Sequence, residues 1–403
     1  MRPMQLALMI ALGAAWACQR TGHEVTPAQS VPTTDGKIAL DNLNGQIEAV
    51  EKALLRNPGH AQLLGTLVTL LQTRGQFLGR LADYERAEQL ASQLPNLAPA
   101  DAQSYLARAA TRSTFHQFDD ALADLAEAEQ LGAPAEAITR GRASIFQAQG
   151  RISEAEPLWK KISDRGPDII ALGSIAMAAS EKGDPSGGEK LLNRALREYR
   201  DVSPFPVAWI EFQRGVMWER AGNLSRAEDE YRRAHLRLPQ YAAAAGHLAE
   251  ALIAEGRRSE ANALLEPLIK ASDDPEYLAL LAEIRKAEGN LPEATRLRAL
   301  ARERYEQLLS RHRAAFADHA AQFWLGENPK KALALSLDNL AVRTTAEAYE
   351  TALSSALAAK EPRLACNLAE KAARLPRVTG TLKPLLERVS VSCGSGGTQA
   401  KRN

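Results

Sequence analysis

The chain contains few aromatic residues, few cysteines and almost no net charge. Of its 403 residues, three are Cys and 5% are aromatic, a low share that is expected where Ala and Leu fill the contacts between helices. Lys and Arg together number 50 against 49 for Asp and Glu, which leaves a formal net charge of +1. A phosphate backbone would therefore find little electrostatic attraction, and we expect no nucleic acid partner.

Recognisable catalytic motifs are also missing. The sequence has no Gly-rich phosphate loop and no G-x-S-x-G segment. His312 and His319 stand seven residues apart, outside any H-E-x-x-H or two-Cys pattern, so we expect no metal site. His116 lies near Asp119 and Asp120, which is more typical of a solvated turn before a helix than of an acid–base pair. We expect a protein that is not an enzyme and has no cofactor.

The longest apolar run lies at the N-terminus. Residues 6–15 follow Arg2 and are too few to cross a bilayer, which needs about 20 apolar residues, so residues 1–17 are typical of an export signal. Cleavage before Cys18 resembles the processing of bacterial lipoproteins, in which a lipid on that Cys anchors the protein. Ala15-Trp16-Ala17 also satisfies the A-x-A rule of ordinary secretion, which is the less favoured alternative. Both alternatives predict an exported protein, either in the periplasm or on the outer membrane as a lipoprotein.

A repeat of about 34 residues runs through the rest of the chain. Gly222, Gly256 and Gly289 follow one another at steps of 34 and 33 residues, and Ala227, Ala261 and Ala294 repeat the same steps. The glycines suit turns and the alanines suit places where two helices cross closely, so each unit predicts a helix, a turn and a second helix.

The most complete unit resembles the tetratricopeptide repeat (TPR). The residues that carry this resemblance are Gly215, Gly222, Ala227, Tyr231, Ala234 and Pro239. The resemblance implies an all-α fold, a TPR solenoid of antiparallel helix pairs wound into a right-handed superhelix. We expect about eight full repeats, a half repeat at the start and a capping helix at the end. Because TPR proteins mostly bind other proteins, it also implies a protein-binding role.

The predicted organisation has four parts. Residues 1–17 form the signal peptide, 18–38 a flexible tether, 39–390 the solenoid with its C-terminal capping helix, and 391–403 a disordered tail. Within the solenoid, residues 74–83 form a connection longer than a TPR turn, which predicts an insertion.

The first helix of each repeat faces the concave side of a TPR solenoid, and this register predicts a protein-binding groove. Trp209 and Phe212 at its centre would anchor an apolar side chain of a bound peptide, or else pack against the link at 203–206. The slots that hold Lys, Asn and Arg in carboxylate-binding TPR proteins lack that pattern here. The groove residues are Arg140, Gln147, Met177, Glu181, Trp209, Phe212, Val216, Glu219, Arg220 and Glu250.

The sequence leaves open both the pairing of Cys366 with Cys393 and the function of the protein. Cys366 and Cys393 would form a disulfide in an oxidising compartment, or Cys366 would serve as a small buried residue. The favoured function is a scaffold of the bacterial cell envelope that binds a protein or peptide in the concave groove. The alternative is a structural oligomerising protein or an accessory subunit of an envelope assembly or transport complex.

Overall fold

The computed structural model describes residues 31–375 and 382–395. The predicted signal peptide, Cys18, most of the tether and the end of the tail lie outside these residues. The described part contains 19 helices and no strand. The helices are α1 (Gly36–Arg56), α2 (Ala61–Leu78), α3 (Leu81–Leu97), α4 (Ala102–Thr114), α5 (Phe118–Gln130), α6 (Ala135–Ala148), α7 (Ile152–Ser163), α8 (Ile169–Glu181), α9 (Pro185–Glu198), α10 (Pro204–Arg220), α11 (Leu224–Arg237), α12 (Ala242–Ala254), α13 (Arg258–Ala271), α14 (Pro275–Ala287), α15 (Leu291–Trp324), α16 (Pro329–Val342), α17 (Ala346–Ala358), α18 (Pro362–Ala372) and α19 (Leu382–Ser395).

Consecutive helices form nine antiparallel pairs in the described part of the chain, one more than predicted. The extra pair arises in α15, a helix of 34 residues whose backbone leaves helical geometry at His312, where φ is −134°. Its first part completes one pair and its second part opens the next. Helix α1 precedes the pairs and α19 follows them, as the predicted half repeat and cap.

Small residues lie at the helix crossings, as the repeat predicts. Ala227 and Ala261 are fully buried. A Cβ atom on Gly215 would collide with the ring of Tyr231, so the α10–α11 pair can pack this closely only with Gly there. Gly222 has a φ of +80°, which favours Gly in the turn between these helices.

Two predicted boundaries were wrong. Helices α2 and α3 are joined by Gly79 and Arg80 alone, so the expected insertion at 74–83 instead lengthens both helices. The apolar side chains of Phe77 and Leu81 are buried there, which favours helical continuation. At the start, α1 begins at Gly36 rather than at 39, and the Thr34 amide donates to the Val202 carbonyl oxygen (2.7 Å).

The superhelix is wound tightly enough for its second turn to touch its first. The Ser272 hydroxyl donates to the Gly79 carbonyl 193 residues earlier, the His116 ring bonds to the Ala314 carbonyl 198 residues later, and Thr344 bonds to Gln149 at a separation of 195. One superhelical turn therefore takes roughly 195 residues. We call this line of contacts the inter-turn seam; it joins 79–82 to 272–273, 115–117 to 312–316, and 148–150 to 343–345.

An apolar contact supports one end of the seam. Phe77 of α2 packs against Phe205 of α10 and Tyr241 before α12, with ring centroids 4.8 and 4.9 Å apart. Leu71 and Leu238 belong to the same buried cluster. The first helix pair is thus fixed to the fifth and sixth. The hairpin tips at His116 and Gly150 meet the second turn through hydrogen bonds and, at the first tip, through the ring of Phe115 on His312.

The C-terminal cap is covalently closed. Cys366 of α18 and Cys393 of α19 form a disulfide with their Cα atoms 5.9 Å apart, which resolves the open alternative in favour of the bond. Helix α19 extends to Ser395, past the predicted start of the tail at 391, and buries Leu385 and Val389 against the preceding pair. Within 31–375 and 382–395, none of the helices combines the length and apolarity needed to span a membrane.

Candidate functional site

A cavity of about 910 Å³ opens on the concave face of the first three helix pairs. Its walls are the inner faces of α2, α4 and α6, closed by single side chains from α3 and α5. The lining residues are Gln72, Gln76, Tyr84, Leu106, Ala109, Ala110, Ser113, Thr114, Leu125, Pro134, Glu136, Ala137, Arg140, Gly141, Ser144 and Ile145.

Small side chains give this cavity its depth. Ala110 and Ser144 are exposed to it, and Ala137 and Gly141 lie between them on the facing helix α6. A Cβ atom on Gly141 would lie 2.9 Å from the methyl carbons of Leu125, so the wall cannot grow thicker at that point without displacing Leu125. The cavity is therefore open because these positions carry small side chains; long side chains there would fill it.

Arg140 lines the cavity, but its charge is already engaged. Its Nη2 lies 2.7 Å from Asp168 Oδ2 and 3.0 Å from Glu136 Oε1. Asp168 also accepts a hydrogen bond from the Ala171 amide (2.7 Å) and so caps α8. Burial opposes ionisation of Asp168, but Arg140 and this amide outweigh it and hold its pKa below the usual value. Arg140 therefore supports the α6–α8 contact.

Gln147 lies outside the cavity and serves packing. Its side-chain oxygen accepts from the indole nitrogen of Trp159 (2.7 Å), and its amide nitrogen donates to the Ser174 carbonyl (3.3 Å). The side chain thus bridges α6 to α7 and α8.

The aromatic residues predicted as the centre of the groove pack within the solenoid. Phe212 has its ring centroid 5.4 Å from that of Tyr241 and 5.2 Å from that of His247. Trp209 contacts two buried clusters, one on each side of α10, and its ring closes over Gly173. Both side chains are half-buried and contact neighbouring helices of the solenoid.

Val216 and Met177 follow the same pattern. Val216 packs against the central cluster, and Met177 is buried within it at 5% exposure. The prediction of Met177 as a groove residue is therefore wrong in this conformation, because α8 is enclosed by its neighbours on nearly every side.

The charged residues predicted for the groove form a network inside the superhelix. Arg220 lies 3.4 Å from Glu181 and, across the two turns, 2.9 Å from Glu347 of α17. Burial raises the pKa of Glu181 to about 7, while Arg220 opposes that shift. The network joins α8 and α10 of the first turn to the second turn.

Glu219 and Glu250 belong to an adjoining network. The Tyr231 hydroxyl donates to Glu219 Oε2 (2.5 Å), and His247 Nδ1 lies 3.3 Å from the same oxygen and 4.0 Å from Glu250. Hydrogen bonding to Glu219 raises the pKa of His247 although burial lowers it more than any other single effect. These residues hold α10, α11 and α12 together.

Sequence reasoning therefore found one residue of the cavity, Arg140, and missed the rest. The missed signal is a run of small residues on one helix face: Ala137, Gly141 and Ser144 stand four and three residues apart on α6. Trp209 and Phe212 on α10 are the more conspicuous pattern in the sequence. Within 31–375 and 382–395, no three His, Cys, Asp or Glu side chains are grouped so that they could hold a metal ion.

Comparisons with known proteins give one family match, over part of the chain, and structural likenesses at low sequence identity. A sequence model of the tetratricopeptide repeat family matches residues 220–284. Yeast Tom70 is structurally similar over 91% of this chain and 97% of its own, at 16% identity and a TM-score of 0.36. The human IFIT1 dimer with PPP-AAAA is similar over 78% of this chain and 72% of its own, at 16% identity and a TM-score of 0.47. No curated protein matches the chain.

The repeat period, the helix pairs and the family match define this molecule as a tetratricopeptide-repeat solenoid. This fold class indicates a scaffold for protein–protein interaction.

Proposed function

We propose that this protein is an interaction scaffold of the bacterial cell envelope that binds an extended, uncharged segment of a partner protein in the concave cavity. The observation that carries the proposal is the cavity itself, which lies on the first helices of three successive repeats. Its volume of about 910 Å³ is comparable with pockets that enclose ligands of roughly 300–1,000 Å³.

The lining suits a peptide backbone. Gln72 and Gln76 offer side-chain amides, and Ser113 and Ser144 offer hydroxyl groups that can donate or accept. An extended segment needs such partners, because its own backbone groups have none. Between these polar groups, the small side chains leave room for small or medium apolar side chains of the partner.

The charges at the cavity argue against a carboxylate ligand. Arg140 is its one lining cation among the described residues, and it is already paired with Asp168 and Glu136. A C-terminal carboxylate would have to displace one of these partners, so an uncharged internal segment is favoured.

Envelope localisation rests on the export signal predicted at 1–17 and on the disulfide between Cys366 and Cys393, since such bonds persist in oxidising compartments. If Cys18 carries a lipid, Cys18→Ser should move the protein from the membrane pellet to the soluble fraction, because each buried CH₂ contributes about 0.8 kcal/mol. A wild-type protein that is already soluble would exclude the anchor but leave the cavity proposal intact.

A cavity-filling substitution tests the binding proposal. Ala110→Trp places a large ring in the space between α4 and α6, whereas Ala123→Trp places the same ring on the exposed face of the outer helix α5. Both proteins should keep the wild-type melting temperature. Partners recovered by crosslinking and quantitative mass spectrometry should be lost with Ala110→Trp and kept with Ala123→Trp. Equal recovery with both variants would refute binding in the cavity.

A further inference from the structure

One turn of the solenoid has a strained residue where most of its counterparts have Gly. Eight of the nine turns within the described pairs contain a residue with positive φ, and in six of them it is Gly, as at Gly150 (φ +82°) and Gly222 (φ +80°). Two turns depart from this rule, with His116 at φ +57° and Lys360 at φ +60°. A side chain at such a φ is unfavourable unless the surrounding structure compensates for it.

His116 has such compensation at the inter-turn seam. Its Nδ1–H donates to the Ala314 carbonyl oxygen of the second turn (3.1 Å), and its ring stacks on Phe118 at 5.1 Å. The preceding residue, Phe115, stacks on His312, the residue at which α15 kinks, with centroids 3.9 Å apart. The hairpin tip at 115–117 is thus fitted to the kink of α15 from both sides.

We propose that His116 is a pH-sensitive latch: its neutral ring holds the hairpin tip of α4 and α5 against the second turn, and its protonation releases that tip. The groups that the second turn directs toward it are Arg343, which precedes α17, and His319 of α15. On the other side of the tip, His312 lies 3.5 Å from Glu85 and 3.8 Å from Glu88 of α3, and burial lowers its pKa. Burial disfavours the charged form of His319, but its ion pair with Glu276 (3.4 Å) and the charges of Asp318 and Asp274 together raise its pKa to about 9. Arg343 and His319 are therefore cationic throughout the acidic range, and a protonated His116 would be a third positive charge beside them.

The direction of the pH effect follows from the two states of His116. In the closed seam, burial and then the charge of Arg343 lower the pKa of His116 to about 4. In the released tip, the exposed ring has a pKa of about 6.5. Closure is therefore fully supported above pH 6.5 and is progressively lost as the pH falls toward 4. Between pH 7.5 and 5, the ratio of open to closed molecules should rise roughly 30-fold.

The latch is connected to the candidate binding cavity. Ser113 and Thr114, immediately before this tip on α4, line the cavity wall. The first helix pair is fixed to α10 and α12 by apolar packing, so it would stay in place when the hydrogen-bonded tips release. Release should therefore move α4 and widen the cavity. This last consequence rests on the proposed function, whereas the latch itself does not.

Spin labels on either side of the seam test the latch. Ala123 of α5 and Leu337 of α16 are exposed, so both can be changed to Cys in a full-length chain that also carries Cys18→Ser and keeps its disulfide. Pulsed electron paramagnetic resonance should show a longer distance population that grows between pH 7.5 and 5. The circular dichroism of the protein should be unchanged over this range.

Three variants separate the effect of the His116 imidazole from other pH-dependent changes. His116→Asn tolerates positive φ and carries an amide nitrogen at the δ position, so it should stay closed at both pH values. His116→Gly should lose the latch without strain and populate the longer distance at both pH values. Lys360→Gly, which changes the matching position of the last pair away from the seam, should behave as the wild type.

Three results would refute the latch proposal. The proposal fails if the wild-type distance is the same at pH 7.5 and 5, if His116→Asn opens as the wild type does, or if His116→Gly stays closed. Because the distance requires no partner, these results are independent of whether a protein segment binds the cavity.

Discussion

Asp273 caps a helix that lies in a different turn of the superhelix, and its removal should open the seam locally. Its carboxylate accepts from the amides of Leu81 (2.5 Å) and Ala82 (3.1 Å) at the start of α3, where Arg80 provides no side-chain cap. Loss of an N-cap costs about 1 kcal/mol. Asp273 also pairs with Arg304 (2.8 Å), but its side chain is 38% exposed, so that pair adds only about 0.5 kcal/mol.

Asp273→Ala should therefore cost roughly 1.5 kcal/mol of local stability, and the amides of Leu81 and Ala82 should exchange about tenfold faster in native-state hydrogen exchange. Asp273→Asn keeps an acceptor and should have a smaller effect. Asp101→Ala is the matched control, since Asp101 caps its own helix through the Gln103 amide (3.0 Å). Unchanged exchange at Leu81 and Ala82 in Asp273→Ala would refute the capping across turns.

Three further substitutions test the packing. Gly215→Ala should lower the free energy of unfolding by about 1 to 3 kcal/mol in urea, because its new methyl group meets the Tyr231 ring; an unchanged midpoint would mean that the pair can separate freely. Cys366→Ser or Cys393→Ser should destabilise the cap by about 3 kcal/mol, since the bond closes a loop of 27 residues; limited proteolysis should then cleave near α19 sooner than in the wild type. Trp209→Ala should lower the unfolding free energy by roughly 3 kcal/mol while sparing partner binding, and loss of binding at unchanged stability would restore Trp209 as an anchor.

The local structure of the repeats could be predicted from the sequence. Gly and Ala at steps of 33 and 34 residues specify turns and helix crossings, and these depend on residues within one unit. The same local reasoning failed at 74–83, where the sequence offers two glycines: Gly75 continues the helix and Gly79, with φ +60°, forms the turn. The kink at His312, by contrast, is not marked in the sequence by a Pro or a Gly.

The closure of the superhelix could not be predicted in this way. It depends on residues nearly 200 positions apart, such as Ser272 and Gly79, and on small rotations between successive repeats that add up along the chain. The total rotation that brings the second turn onto the first cannot be read from the sequence of any one repeat.

The position of the cavity depends on the same accumulated rotation between repeats. The TPR register predicts that the first helices face the concave side, but it treats that side as one continuous open groove. In the tightly wound superhelix, the part near Trp209 and Phe212 is filled by the first helix pair, and the part between α2, α4 and α6 stays open. Which part is filled is a property of the whole molecule.

Photo-crosslinking from inside the cavity distinguishes binding there from binding elsewhere on the solenoid. A photoreactive amino acid at Ala110 faces the cavity, and the same amino acid at Ala123 faces outward from α5. After irradiation of intact cells, we expect a discrete adduct from position 110 whose partner peptide is uncharged, and no such adduct from position 123. An adduct formed at position 123 and absent at position 110 would contradict binding in the concave cavity.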